Sequence, residues 1–103
     1  IKLIHNNQSS RPTVLIFDEP STGLADSDVQ KLLEEFYLLR SMGHTIIVVE
    51  HHLGIIASGD WVVEIGPDAA ESGGQVVFEG SAREFRAEAD TLTSRQVKEF
   101  LGE

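Results

Sequence analysis

The chain has 103 residues and a hydrophobic content of 41%, which suits one globular domain and argues against a disordered protein. Its formal charge of −9 comes from 17 acidic against 8 basic residues, and it argues against a main nucleic-acid surface, which needs clustered Lys and Arg. The sequence has no cysteine, so it can form neither a disulfide nor a thiolate zinc site. It also has no apolar run of the roughly 20 residues that span a bilayer, and we therefore expect a cytoplasmic protein with no membrane partner.

The first predicted strand is the apolar run at residues 14–17, which follows a weakly helical start at 1–8. An unbroken apolar run of this length is typical of a strand that is buried on both faces in a parallel sheet. Two adjacent acids, Asp18 and Glu19, close the run. They are therefore predicted at the C-terminal edge of the sheet, where ligands bind in open α/β folds. A turn is predicted at 20–23, where the sequence is Pro-Ser-Thr-Gly.

A helix of about four turns is predicted next, and a second strand follows it. Ser27 and Gln30 have the spacing of a capping box, and Gly43 ends the helical pattern. The apolar residues of this helix recur at helical spacing and predict a core-facing side rather than a partner-binding one: Val29, Leu32, Leu33, Phe36 and Leu39. Because the run at 45–49 is again apolar and β-branched, the whole segment is predicted to be a βαβ unit with parallel strands.

Five shorter elements are predicted in the second half of the chain. They are a helix at 52–58, strands at 61–65 and 75–79, a helix that begins with Ser81 and Glu84, and a last helix at 93–101. The loop at 66–74 is interpreted as an excursion within the domain. Trp61 is expected in the core, because its strand is apolar and has no flanking bases. The acids between 64 and 79 are expected to be solvated, because they lack the ligand spacing of a calcium loop.

Carboxylates at the edge of a sheet can serve phosphate chemistry. Asp18 can hold Mg²⁺ through a water, because this ion keeps much of its hydration shell. Glu19 points differently and can orient or deprotonate a water for attack on a γ-phosphate. By itself, however, such a pair is more often two solvated acids at the end of a strand.

The second predicted strand also ends in polar residues, Glu50 and His51. An imidazole at this point can hydrogen-bond a phosphate oxygen, although a lone histidine is more often a surface or helix-capping residue. Two parallel strands that both end in polar groups, with one helix between them, are a more specific combination and favour a phosphate site. A zinc site at His51 and His52 is disfavoured, because adjacent residues of a strand point to opposite faces.

The sequence VLIFDEPSTGL at 14–24, followed by IIVVEHHL at 46–53, resembles the second half of an ATP-binding-cassette ATPase. The resemblance implies an α/β fold that is a fragment of a P-loop NTPase domain, with a mostly parallel sheet, flanking helices and a C-terminal two-strand excursion. It implies ATP and Mg²⁺ as cofactors. It also implies that Asp18 is the Walker B acid that holds magnesium, Glu19 the catalytic glutamate and His51 the switch histidine. The stretch that resembles the D-loop would contribute to nucleotide binding through Ser21, Thr22, Gly23 and Leu24.

The sequence EHHLGIIASGDWVVEIGPDAAESGGQVVFEG at 50–80 is similar to the UvrA family of excinuclease proteins, and the opening IKLI resembles the stretch after that family's second signature motif. This implies a component of nucleotide excision repair that uses ATP to drive recognition of DNA damage. DNA and the other repair subunits would be bound by other parts of the protein. Three features depart from the family: Ala25, His52 and the alanine pair at 69–70. They make a divergent paralogue possible, including an excinuclease-like protein of drug resistance. A transporter-type ATPase stays a separate alternative.

Two motifs of a complete ATPase domain do not occur in the sequence, the GxxxxGK[ST] phosphate-binding loop and the LSGG-type signature. Residues 1–103 are therefore expected to be the C-terminal part of a nucleotide-binding domain. Its partners would be the remainder of that domain and, in a dimer, a second ATPase site that the D-loop stretch faces. The family's zinc modules rely on cysteine, so no zinc is expected in this segment. We expect the isolated chain to be inactive, and a non-catalytic interaction fragment stays an alternative.

Overall fold

The computed structural model describes residues 11–66 and 74–103, and the chain divides into two compact units, Ile1–His51 and His52–Glu103. The predicted helical start at 1–8 and most of the loop at 66–74, including the alanine pair, lie outside the described residues. The first unit contains β1 (Val14–Asp18), α1 (Asp26–Ser41) and β2 (Thr45–Val49). The second contains α2 (Leu53–Ala57), β3 (Trp61–Ile65), β4 (Val76–Ser81), α3 (Ala82–Glu88) and α4 (Leu92–Phe100).

In the first unit, β1 and β2 are parallel and paired along their whole length. The register runs from Val14 opposite Thr45 to Asp18 opposite Val49. The predicted βαβ unit is therefore confirmed. Because the strands run in the same direction without offset, their C-terminal ends meet at one edge, and the residues that follow each strand are brought together there.

Helix α1 covers one face of this pair of strands. The five apolar residues predicted to face the core are all buried. The Phe17 and Phe36 rings pack with their centroids 5.0 Å apart and tilted, a favourable arrangement for aromatic pairs. The helix stops before Gly43, whose φ of 93° is a left-handed conformation that glycine adopts at little cost.

The start of α1 differs from the prediction. The helix begins at Asp26 with Ala25 as its N-cap, and no side chain caps it, so the capping box expected at Ser27 and Gln30 is wrong. The chain enters the helix one residue before the predicted cap. Asp26 and Asp28 lie in the first turn instead, where their negative charge is favourable beside the positive end of the helix dipole.

The other face of the β1–β2 pair is exposed, contrary to the prediction of strands buried on both sides. Val14, Ile16 and Ile47 are 59%, 69% and 47% exposed. The physical reason is that a single crossover helix can cover only one face of the strands that it joins. The described residues form two separate two-stranded sheets, one parallel and one antiparallel, rather than the mostly parallel sheet that was expected.

The second unit is built on the antiparallel pair of β3 and β4, which is the predicted two-strand excursion. The pairing begins with Trp61 opposite Ser81 and has an irregularity between Glu64 and Ile65. The core of the unit lies between this sheet and its helices. It consists of Phe85, Ala89 and Val97, with Leu53, Ile56, Ala57, Val62 and Phe78 packed against them.

Trp61 is 61% exposed, so its predicted place in the core is wrong. Side chains alternate between the two faces of a strand, and in β3 it is Val62 that packs against the core. Trp61 shares the opposite face with Val63 and Ile65, each 51% exposed. An apolar strand thus predicts that a tryptophan lies in the sheet but does not predict which face is covered.

Both helices that follow β4 begin with a capping box. The box of α3 was predicted from Ser81 and Glu84, and it is confirmed by hydrogen bonds in both directions. The box of α4, formed by Thr91 and Ser94, was not predicted. The Thr91 hydroxyl also donates to Glu64, at 2.7 Å. The expectation that all acids between 64 and 79 are solvated is therefore wrong for Glu64, which is half-buried.

Candidate functional site

Glu19 is held in an unusual backbone conformation directly after β1. Its φ is 48°, and it is the only residue other than glycine with a positive φ among the described residues. Its N–H donates to the carbonyl of Val49 at 2.7 Å, and its own carbonyl accepts bonds from the N–H and hydroxyl of Thr22 at 3.2 and 2.9 Å. Left-handed backbone at such a residue is uncommon and is maintained only by surrounding contacts, which is frequent at functional sites.

The turn predicted at 20–23 is confirmed between β1 and α1, and the stretch from Ser21 to Leu24 begins within it. The N–H of Leu24 donates to the carbonyl of Ser21 at 2.9 Å, and Gly23 has a φ of 78°, a left-handed conformation that favours glycine. Thr22 and Gly23 are exposed, whereas Ser21 and Leu24 are half-buried. The turn therefore carries the chain away from the sheet edge and presents its middle residues to solvent.

The carboxylate of Glu19 contacts the imidazole of His51, with 2.9 Å between Oε1 and Nε2. The prediction that these two residues meet at one sheet edge is confirmed. The side chains are 46% and 88% exposed, so the contact contributes only about 0–1 kcal/mol to folding. An accessible acid and imidazole in contact, each supplied by a different strand, leave both groups available to a ligand.

Asp18 lies one residue earlier, at the end of β1 and opposite Val49 in the register. It is exposed, and strand alternation places it on the face that also carries Ile16. Its carboxylate is the kind of hard oxygen donor that Mg²⁺ binds, so the residue present fits the expected ion. Among the described residues, no three His, Asp or Glu side chains converge to hold a metal. Asp18 would thus hold the ion through a water, and further waters and phosphate oxygens would complete its shell.

Glu50 is the residue of this site that sequence reasoning did not assign. Its Oε1 accepts a bond from the hydroxyl of Ser21 at 2.8 Å and from the N–H of His51 at 3.0 Å. Its Oε2 accepts a bond from the N–H of Ser21 at 3.1 Å. The only signal in the sequence was an acid at the end of the second apolar run, because its partner Ser21 follows the other strand.

His52 has a structural role in the second unit. It is the N-cap of α2, and its Nδ1 accepts a bond from the N–H of Gly54 at 3.1 Å. Ala25, the departure noted in the stretch that resembles the D-loop, is exposed at the start of α1.

Several known proteins with similar sequences share one name. No family model matches the chain. It is 50% identical over 78 residues to UvrABC system protein A of Mycobacterium leprae, 39% over 89 residues to that of Haemophilus influenzae and 35% over 96 residues to that of Rickettsia bellii. These matches cover 76%, 86% and 93% of this chain, but only 8%, 9% and 10% of the relatives. The chain thus spans about a tenth of the length of these relatives.

A solved structure resembles the chain as well. It is the crystal structure of UvrA2 from Deinococcus radiodurans, which is 37% identical and matches with a TM-score of 0.77 over 87% of this chain and 11% of that one. Sequence and fold therefore agree, and the expected relationship to the UvrA family is confirmed. None of the helices in the described ranges is long and apolar enough to cross a membrane.

Proposed function

This chain is homologous to one segment of UvrABC system protein A, and we propose that it forms the water-activating and magnesium-binding part of an ATPase that serves nucleotide excision repair. The observation that carries the proposal is the contact between Glu19 and His51 at the shared C-terminal edge of β1 and β2. In open α/β sheets this edge is where ligands bind.

Glu19 is the proposed general base. Its carboxylate is half exposed and can accept a hydrogen bond from a water, orienting it toward the γ-phosphate of ATP. The positive φ of this residue turns its side chain out of the regular alternation of β1. Because its N–H and carbonyl are both hydrogen-bonded, the carboxylate projects from a fixed backbone, and little entropy is lost in positioning it.

His51 is the proposed contact to the γ-phosphate. Its Nε2 lies beside the Glu19 carboxylate, so the imidazole can bond a phosphate oxygen close to the water that Glu19 orients. Asp18 would hold Mg²⁺ through a water, and this ion would neutralise charge on the β- and γ-phosphates of bound ATP. The stretch of Ser21, Thr22, Gly23 and Leu24, which is exposed at its middle residues, would face a second ATPase site.

The same proposal defines the partners of the chain. The GxxxxGK[ST] phosphate-binding loop does not occur in the sequence, so the remainder of the ATPase domain would supply it and cover the exposed apolar face of β1 and β2. DNA, the other repair subunits and a second ATPase site would be bound through the larger protein, which would act in the cytoplasm. With a formal charge of −9, this segment is poorly suited to bind DNA itself.

The test is a chimera in which this chain replaces the matching segment of the Mycobacterium leprae relative, which is 50% identical to it. We expect the chimera to hydrolyse ATP, and Glu19→Gln to remove nearly all turnover while ATP binding is retained. The amide keeps the shape of the side chain but cannot accept a proton. Release of phosphate and binding of a fluorescent ATP analogue report the two properties separately.

The matched control is Glu34→Gln, the same chemical change at an exposed position of α1. It should leave both turnover and binding as they are in the chimera. Equal turnover in the chimera and in its Glu19→Gln variant would contradict the assignment of this segment to water activation.

A further inference from the structure

We propose that Glu50 is a positioning residue that holds the general base Glu19 and the phosphate contact His51 in their mutual geometry. This inference rests on the proposed function of the site, because it concerns the same two residues. Glu50 does not contact the reacting atoms in this proposal. It acts through the backbone of the two segments that follow β1 and β2.

The carboxylate of Glu50 is engaged by three donors from these two segments. The N–H and hydroxyl of Ser21 come from the segment after β1, and the N–H of His51 from the segment after β2. All three distances lie between 2.8 and 3.1 Å. Hydrogen bonds to a charged acceptor are about twice as strong as neutral ones, so the carboxylate is an effective bridge between the two strand ends.

The bridge lies very close in sequence to both functional groups. Ser21 is separated from Glu19 only by Pro20, whose ring fixes its own φ and limits the movement of the chain between them. His51 directly follows Glu50 and donates to it through its own backbone. Movement of Ser21 away from the end of β2 would therefore also move Glu19 away from His51.

The two glutamates divide their roles by environment. Glu50 is half-buried and both its oxygens already accept bonds from protein donors, so it is poorly placed to take a proton from water. Glu19 presents a side chain that is 46% exposed and contacts the His51 imidazole through Oε1. Two carboxylates at one sheet edge are thus assigned different tasks, water activation for Glu19 and positioning for Glu50.

A spectroscopic test reports on the bridge without any activity. In the 103-residue chain, the amide proton signals of Ser21 and His51 should lie downfield, because both protons are donated to a carboxylate. Glu50→Ala should move both signals upfield together, while signals of α1 keep their positions. Glu34→Ala, the same truncation at an exposed site, should move neither signal. If the Ser21 and His51 signals keep their positions in Glu50→Ala, the proposed bridge is wrong.

A kinetic test reports on the consequence for turnover in the chimera. Glu50→Ala should lower kcat by roughly 10- to 100-fold, the scale expected for a misplaced reacting group, with little change in the KM for ATP. Glu50→Gln keeps one acceptor oxygen and should recover part of the loss.

The outcomes separate this inference from the proposed function. If Glu19→Gln abolishes hydrolysis and Glu50→Ala leaves kcat unchanged, the function stands and the positioning role is overturned. If the chimera is no faster than its Glu19→Gln variant, the proposed function fails, and the amide signals still decide whether the bridge exists. A loss of ATP binding in Glu50→Ala equal to the loss of turnover would overturn positioning in favour of a general structural role.

Discussion

Oε1 of Glu19 and Nε2 of His51 are 2.9 Å apart, although the two residues belong to different strand ends and have the whole of α1 between them in sequence. Parallel pairing without offset is what brings them together, since Asp18 lies opposite Val49 and each functional residue follows shortly after. The pair is accessible and contributes little to the free energy of folding, so a substitution in it can change the chemistry without unfolding the chain.

His51→Ala should slow ATP turnover in the chimera without lowering its stability. The loss should be roughly 10- to 100-fold, below the upper limit known for removing one hydrogen bond to a developing charge. Because the side chain is 88% exposed, the melting temperature should barely change. Phosphate release and thermal unfolding of the same preparation measure both. Turnover equal to that of the unchanged chimera would remove His51 from the site.

Leu32→Ala should destabilise the first unit far more than Leu38→Ala, although the two changes are chemically identical and lie in the same helix. Leu32 is 6% exposed and Leu38 is 43% exposed. Truncation of a buried leucine costs about 2–5 kcal/mol, whereas a surface substitution usually changes stability by about 0.5 kcal/mol. Urea unfolding followed by circular dichroism gives both values. Equal effects would mean that α1 does not pack on the sheet through its predicted face.

The capping box of α3 should make the stability of the second unit depend on acidic pH. Two hydrogen bonds with Ser81 hold the pKa of Glu84 below its usual value. The bond from the backbone N–H of Ser81 has the larger effect, and the bond with its side chain the smaller one. A lowered pKa in the folded state means that the stabilisation is complete above the pKa of the unfolded chain. It is then lost as the pH falls through the folded pKa.

Two variants test this pH dependence in urea unfolding at a series of acidic pH values. Glu84→Gln keeps the geometry of a capping box but cannot titrate, so it should flatten the acidic part of the stability profile. Ser81→Ala should cost about 0.5–2 kcal/mol near neutral pH through loss of the cap. After Ser81→Ala, adding Glu84→Gln should still flatten the profile, because alanine keeps the backbone N–H that donates to the Glu84 carboxylate. Parallel profiles for the unchanged chain and Glu84→Gln would contradict the prediction.

The isolated 103-residue chain should neither bind Mg-ATP tightly nor hydrolyse it. It contains no GxxxxGK[ST] loop to bind the phosphates, and its formal charge of −9 repels a polyanion. Isothermal titration calorimetry of the chain, beside the chimera as positive control, is the measurement. Micromolar affinity, or turnover above that of its Glu19→Gln variant, would show that the chain completes a nucleotide site by itself.

The local pattern of residues was sufficient to predict most helices and strands, and to predict that Glu19 and His51 lie at the same sheet edge. Apolar runs and helical spacing predicted β1, α1 and β2, and a βαβ unit has only one common arrangement of its strands. The spacing of Ser81 and Glu84 predicted a cap because both partners of a capping box lie within one turn. These predictions depend on contacts between near neighbours or on a connection of fixed handedness, and both are encoded locally.

Other features depended on which neighbours were present. The sequence could not distinguish the exposed faces of β1 and β3, which include Ile16 and Trp61, from the covered ones. An apolar residue indicates that burial would be favourable, but it does not indicate which part of the protein covers it. The N-terminus of α1 was shifted because a helix can begin without a side-chain cap when the preceding turn already sets its direction.

By itself, the sequence determined the order of elements, the parallel βαβ unit and the presence of two acids and a histidine at one edge of its sheet. Only the tertiary structure decided how these groups are held: the left-handed backbone of Glu19 and the bonds from Ser21 and His51 to Glu50. Hydrogen bonds between the ends of two strands depend on angles and distances of a few ångströms. No residue pattern specifies these, because they arise only after the strands have paired.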